Sequence, residues 1–507
     1  MKYEVLIGLE FHVQLKTRSK MFCRCLNESR LAKPNANICP ICLGHPGTLP
    51  VINKEAVHFA QKAALALNCT INKYTKFDRK NYFYPDLPKG YQISQYDEPL
   101  AERGYLDINY KAADGLAARL DNSDEIKRIR ITRVHMEEDS GKSIHRAHDN
   151  ATLLDFNRGG APLIEIVTEP DMSTPSEAKT FGQELQLLVR RLGVSQADME
   201  RGELRCDANI SLRPAGEKKL YTKTEIKNIN SFHSLERALE FELKRQTILW
   251  EEGQPPKKQE TRGFDDKKQV TVLQRSKEDS ADYRYFPEPD LPPLTFSSGA
   301  IEKVRAELPE LPQARRQRFI TTFDLAPEDA KLLTSTSVIA DYFEALLSEL
   351  ENLCQDKSEK FWDKNSDALT KLASNWLINN LLPLVSDLEN DQPFKMVTAE
   401  NFAELILLIL DNKLNSTNAV KVLKLMVETG ADPDHIIVEN NLGQVNDDAA
   451  IEKIVTQVLA AFPSQVADYC AGKEPLLQFL VGQVMRESRG SANPQMAETM
   501  IKKLLKK

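Results

Sequence analysis

Cysteine is scarce in this chain, with eight residues in 507, and no apolar run is long. The longest, Ala403–Leu410, is interrupted by Glu404 and falls far short of the roughly 20 residues that a membrane span requires. The amino terminus reaches an acidic residue at Glu4, without the apolar region of a signal peptide or the Arg-rich pattern of a transit peptide. The expectation is a protein made and kept in the cytoplasm, with no membrane partner. Positive charge is not in excess either. A net charge of -7 argues against a general coat binder for polyanions and leaves room only for local basic patches. No internal repeat is evident, so solenoids are excluded.

What is present is enough material for several cores. At 507 residues the chain exceeds what one hydrophobic core usually holds, so two to four domains are expected. Hydrophobic residues at 41% and charged residues at 28% are those of a folded globular protein and not of a disordered one.

Four of the cysteines lie close together as Cys23-Arg24-Cys25 and Cys39-Pro40-Ile41-Cys42. Two short pairs joined by a modest loop bring four sulfurs together at little cost in chain entropy, and a soft divalent ion takes four thiolates in a tetrahedron. Structural Zn²⁺ is the reading. Four unrelated buried thiols is the bland alternative, and a disulfide is disfavoured by a reducing cytosol. With every position filled by sulfur no coordination site stays open, so the metal holds the segment 21–47 together and the chemistry lies elsewhere.

Along the first part of the chain, polar and apolar residues alternate in short stretches. In Leu9-Glu10-Phe11-His12-Val13-Gln14-Leu15 a strand would bury Leu9, Phe11, Val13 and Leu15 and project Glu10, His12 and Gln14 from one face. Acids and imidazoles recur in His135-Met136-Glu137-Glu138-Asp139 and at Asp155 and Glu165 around a glycine turn. Such oxygen-rich sets suit Mg²⁺, which bridges phosphates in phosphoryl transfer; an ordinary solvated face is the alternative. The stretch 204–213 repeats the pattern, with Leu204, Cys206, Ala208, Ile210 and Leu212 buried and Arg205, Asp207, Asn209, Ser211 and Arg213 opposite, and 223–228 is its expected antiparallel partner. Cys206 belongs to the apolar set and reads as a packed thiol. The loop 78–92 interleaves cations with aromatics, a mixture that holds phosphates, stacks a base or forms an interface.

Four prolines between Pro287 and Pro293 fix an extended backbone and mark the end of this region. Beyond it the chain carries helix punctuation: Thr398, Ser416 and Asn493-Pro494 as starts, Gly430 as a stop. The polar stretch Cys354 to Ser366 reads as an exposed insertion between helices. In the last helix Met496, Met500 and Leu504 recur at four-residue steps while Lys502, Lys503, Lys506 and Lys507 gather at its end. That cluster is either a solvated end or, with Arg486 and Arg489, a patch for an RNA backbone.

The ordered string of motifs resembles the B subunit of the aspartyl/glutamyl-tRNA amidotransferases along essentially its whole length. It runs through 7–15, the four cysteines with 43–47, 77–85, 135–139, Pro162-Leu163-Ile164-Glu165-Ile166, 205–211, 225–228, 282–290, 479–485 and 490–494. The resemblance implies an α+β protein. A cradle-shaped catalytic domain on antiparallel sheet (1–294) would carry the zinc segment, followed by a helical domain (295–395) and a helical tail that contacts tRNA (396–507). It implies conversion of Glu-tRNA(Gln) or Asp-tRNA(Asn) into the correct amide, with ATP activating the carboxylate before ammonia attacks. Mg²⁺ would sit near Glu10, His12 and Glu138, the catalytic set, with Glu137, Asp155 and Glu165 as further candidates. Arg79, Lys80 and Lys89 are candidates for phosphate contacts on charge and loop position. No Gly-Ser-Ser-Gly segment is present, so ammonia is expected from a glutaminase partner, the amidotransferase's A subunit, with its small C subunit wrapped around both. Some members of the family lack the cysteines, so zinc is expected to be a staple outside the mechanism. Two other readings stay open: a noncatalytic tRNA-binding polypeptide and a free-standing carboxylate-amine ligase.

Overall fold

In a computed structural model the described residues are 2–28, 32–110, 125–146, 151–276, 284–357, 361–385, 392–440, 442–443, 448–488 and 492–505. The chain divides into two units, Met1–Pro312 and Gln313–Lys507. Among the described residues no helix is long and apolar enough to cross a membrane.

Among its described residues the first unit contains sixteen strands. In chain order they are β1 (Tyr3–Gln14), β2 (Thr70–Ile71), β3 (Tyr74–Thr75), β4 (Asp78–Asn81), β5 (Tyr91–Ser94), β6 (Ala101–Tyr110), β7 (Glu125–Glu138) and β8 (Lys142–Arg146). They continue as β9 (Ala151–Asp155), β10 (Pro162–Thr168), β11 (Leu204–Pro214), β12 (Thr224–Ile229), β13 (Glu260–Asp265), β14 (Val270–Ser276), β15 (Arg284–Pro287) and β16 (Leu294–Thr295). Nine form one sheet in the order β14-β13-β12-β11-β1-β10-β7-β6-β2. Its pairings are antiparallel except β12 with β13. Smaller sheets pair β15-β4-β5, β16-β3 and β8-β9.

Alternation on β1 runs as its sequence requires: Ile7, Leu9, Phe11 and Val13 are buried while Glu10, His12 and Gln14 stay partly accessible. The buried residues of β11 include Leu204, Cys206, Ala208, Ile210 and Leu212. Two helices, α2 (Pro175–Arg191) and α3 (Phe232–Glu251), pack side by side on this apolar face, after α1 (Lys54–Ala66) and before α4 (Ser298–Ala306). Close approach here depends on Gly182, because a Cβ on it would stand 2.6 Å from the Phe232 ring and 3.3 Å from that of Phe11. With one face covered by helices, Glu10 and His12 of β1, His135 and Glu137 of β7, Glu165 of β10 and Arg205 and Asp207 of β11 share the other.

The second unit is helical. One core runs from Phe319 to Ile436 and crosses position 395, because Ala399–Leu410 packs against Ser337–Lys357. A separate core spans Ile451 to Ile501, with Met500 buried and Met496 and Leu504 packed against it. Thr398 caps its helix by accepting from Asn401 N–H at 3.2 Å, and Gly430 ends the next with φ +72. The start expected at Ser416 is capped instead by Asn415, whose side chain accepts from Asn418 N–H at 2.8 Å and closes the first turn. The stretch expected to be an exposed insertion is helix at both ends, Ser337–Lys357 and Phe361–Trp376. Cys354 is fully buried there, since it continues the apolar stripe of Phe343, Leu346, Leu347 and Leu350. Arg489, Lys506 and Lys507 lie outside the described residues.

Candidate active site on the polar face of the sheet

Strand register assembles the site. β10 lies between β1 and β7 and pairs His12 with Glu165 on one side and Glu165 with His135 on the other. Side chains on directly opposed residues share a face, so three groups far apart in sequence meet in one row. Glu137, two residues beyond His135, completes it: His12 Nδ1 lies 2.9 Å from Glu137 Oε1, and His12 Nε2 lies 3.7 Å from Glu10 Oε1. One ligand atom each from Glu10, His12 and Glu165 falls within 4.8 Å of the others, as do atoms of His135, Glu137 and Glu165.

The electrostatics are those of a tightly paired cluster. Burial alone would lower the His12 pKa, but hydrogen bonds to Glu10 and Glu137 outweigh it and raise it to about 10. Burial would raise Glu137, and the hydrogen bond and charge of His12, then His135 and Lys80, bring it instead to about 2. Glu165 likewise sits at about 2, burial being offset first by His135. With the carboxylates already ionised, a divalent cation at this row would meet ready ligands once the His12 proton left.

Toward β11 the face continues with charges of both signs. Arg205 Nη2 lies 2.7 Å from Asp139 Oδ2, and Lys227 Nζ pairs with Asp207 Oδ2. A bulge explains the second pair: register shifts between Cys206 and Ala208, and Asn228 takes φ 61, which seats Lys227 against Asp207.

The remaining sequence candidates distribute as follows. Glu138 is not brought to Glu10 and His12. It is one residue out of phase with Glu137, so it points through the opposite face of β7, where its Oε1 ion-pairs with Lys89 and accepts from Ile93 N–H at 2.9 Å. Lys89 is thereby committed to Glu138. Arg79 is also committed, to Glu288 at 2.7 and 2.9 Å and to Asp290 at 3.1 Å, with its guanidinium over the Tyr91 ring. Lys80, next on β4, is near enough to Glu137 to stabilise its charge. Asp155 stands apart, accepting from the N–H groups of Asn35 and Asn157 at 3.0 Å each, so it holds the loop between the cysteine pairs. His135 is absent from the sequence-derived site, although Arg133, His135 and Glu137 alternate along one strand face, the signal that separates Glu137 from Glu138.

The four cysteines converge as their spacing requires, with sulfurs within 4.8 Å of one another. Tetrahedral zinc–sulfur bonds place sulfurs about 3.8 Å apart, so the cluster fits a structural zinc site. Cys42 Sγ accepts from Cys39 N–H at 3.1 Å and faces the ammonium of Lys20 at 3.8 Å. Its hydrogen bond with Cys23, the Cys39 N–H and the charge of Lys20 hold its thiol down to about 5 against the effect of burial. Lys20 is fully buried, and its ammonium faces the Cys42 sulfur and donates to the Phe156 carbonyl at 3.3 Å.

One mixed sheet thus carries imidazoles and carboxylates on one face, and the same unit holds a cluster of four cysteine sulfurs. Residues 5–302 match the family model described as the GatB/GatE catalytic domain, and residues 358–505 match the GatB domain. Over 509 residues the chain is 46% identical to the aspartyl/glutamyl-tRNA(Asn/Gln) amidotransferase B subunit of Carboxydothermus hydrogenoformans, covering 100% of this chain and 99% of that protein. It is 47% identical over 511 residues to the protein of that name from Dehalococcoides mccartyi, covering 99% of each. A third, the B subunit numbered 2 of Clostridium acetobutylicum, is 44% identical over 506 residues, 100% of each chain. The chain belongs to the family of aspartyl/glutamyl-tRNA(Asn/Gln) amidotransferase B subunits.

Proposed function

We propose that this chain activates the side-chain carboxylate of Glu-tRNA(Gln), Asp-tRNA(Asn) or both with ATP, and that ammonia then converts the activated acid to the amide. The observation that carries this reading is the row Glu10, His12, Glu165 and Glu137 on the polar sheet face. The relatives' printed names supply the substrate class.

A carboxylate is a poor acyl donor because its leaving group would be oxide. Transfer of a phosphoryl group onto its oxygen creates a leaving group that ammonia can displace. Two anions must therefore approach each other, and bound Mg²⁺ would offset their charge. Glu10, His12 and Glu165 would hold it, and Glu137 keeps His12 in place through Nδ1. Glu138, also expected among the ligands, instead supports β5 from the other face of the sheet through Ile93 N–H. Lys80 is the cation of the 78–92 loop with a path to this face, and it would meet the incoming phosphate.

Ammonia comes from elsewhere in this reading, since the chain lacks the Gly-Ser-Ser-Gly segment of an amidase. A glutaminase polypeptide and a small third one are the proposed partners, and the helical tail the proposed tRNA contact. The zinc knuckle holds its own loop and takes no part in the chemistry.

The test is ATP turnover by the chain copurified with its glutaminase partner, with each misacylated tRNA added in turn and the esterified amino acid analysed. ATP consumption that depends on misacylated tRNA, with Gln or Asn recovered, supports the reading and names the substrate. Turnover indifferent to tRNA would point to a free-standing ligase, and tRNA binding without turnover to a noncatalytic role.

A further inference from the structure

Glu165 sits between two histidines, His12 on β1 and His135 on β7, and the two are not equivalent. His12 faces carboxylates at both ring nitrogens, Glu137 at 2.9 Å and Glu10 at 3.7 Å. His135 is 4% exposed and has a guanidinium on one side, with Arg133 Nε donating to its Nδ1 at 3.4 Å. On the other side its Nε2 lies 3.3 Å from Glu165 Oε2. Arginine does not lose its proton in proteins and can only donate. An Nδ1 that accepts from it carries a lone pair, so the ring's proton is on Nε2, directed at Glu165. Arg133 also reaches Glu165 directly, Nη2 to Oε1 at 3.5 Å.

We propose that His135, locked in this tautomer by Arg133, is a positioning residue that orients the Glu165 carboxylate toward the cation, while His12 alone of the pair offers a lone pair as ligand. The inference rests on the reading of this face as a cation site. Geometry alone permits a different use, because His135, Glu137 and Glu165 are close enough to hold an ion of their own. The Arg133 contact argues against it: a ring nitrogen that bears a proton cannot coordinate, and freeing Nε2 would move the proton to the nitrogen that faces the guanidinium. His135 Nε2 is also 4.0 Å from Glu137 Oε2, beyond hydrogen-bond reach, so Glu165 is its partner. A carboxylate braced by donors on one side keeps the remaining lone pairs of its oxygens on the other, and loss of such support commonly weakens metal binding about 10- to 100-fold.

The test is titration of the zinc-loaded full chain with Mn²⁺, followed by the paramagnetic resonance signal of the free ion. The variants are Glu10→Gln, His135→Leu, His135→Gln and Arg133→Met. Expected is one ion per wild-type chain, affinity reduced about tenfold or more in H135L, and most of it restored in H135Q, whose amide N–H reaches where Nε2–H was. R133M should fall between wild type and H135L, and being on a more exposed side chain it carries the test should H135L not fold. H135L and R133M both binding as wild type, with binding lost in E10Q, would overturn this inference and leave the site reading intact. Two ions in wild type and one in H135L would overturn it too, by making His135 a ligand. No Mn²⁺ bound by wild type would remove the site reading itself.

Discussion

Two clusters of metal-ligating side chains lie in the sheet unit, built from opposite materials. The knuckle gathers four sulfurs from a single short segment, Cys23 to Cys42, on turns close together in the chain. The polar face gathers two imidazoles and several carboxylates from β1, β7 and β10, held by register alone. The knuckle offers four sulfurs and no other donor, whereas the face offers carboxylate oxygens and imidazole nitrogens. One is suited to holding a fold together and the other to chemistry that must admit a substrate.

That difference predicts separable losses. The largest belongs to the face: Glu165→Gln or His12→Ala should reduce tRNA-dependent ATP turnover by about a hundred- to a thousandfold. Zinc content should stay near that of the parent, as metal analysis would check, while the unfolding midpoint of His12→Ala should fall, because it leaves the buried Glu137 carboxylate without its partner. Next is the knuckle, where Cys42→Ser should lose zinc and lower the melting midpoint by roughly 10 °C. Its residual folded fraction should keep substantial turnover at low temperature; inactivity of a fully folded, zinc-free variant would merge the two clusters into one device.

Smaller effects sharpen the assignment of the loop cations. Arg79→Met should destabilise the unit by about 2 kcal/mol in denaturant, because it strands Glu288, whose side chain is fully buried. The KM for ATP should change little, as Arg79 is occupied by carboxylates; a large rise with unchanged stability would return it to the phosphate site. A further effect is in pH. In the zinc-loaded protein without added Mg²⁺, His12 is raised to about 10, so its contribution to stability is complete below about 6.5 and fades as pH rises through about 10. Glu137 and Glu165, lowered to about 2, contribute above their unfolded value and lose that contribution as pH falls through about 2. Melts across pH should show both slopes, and Glu137→Gln should flatten them.

Local features were readable in the chain and nonlocal ones were not. Alternation alone gave the faces of β1 and β11, and spacing alone gave the knuckle, because each depends on residues a few positions apart. Proline density marked the extended segment around β15, and Gly430 marked a helix end by its left-handed conformation. The meeting of His12 with Glu165 and Glu137 depends on which strands neighbour β10, and no local pattern encodes that. The choice of Glu138 over Glu137 is different in kind. Alternation through Arg133, His135 and Glu137 was available and assigns Glu138 to the other face. Cys354 misled because polar neighbours masked one apolar stripe of a helix that continues to Lys357.

The central claim is that a phosphoryl group passes to the substrate's carboxylate on this face. Misacylated tRNA carrying heavy-isotope oxygen in the side-chain carboxylate, given to the complex with ATP and glutamine, tests it most directly. The claim predicts one heavy oxygen in the inorganic phosphate for each amide formed, and none from Glu165→Gln. Amide formed with no heavy oxygen in the phosphate would contradict it.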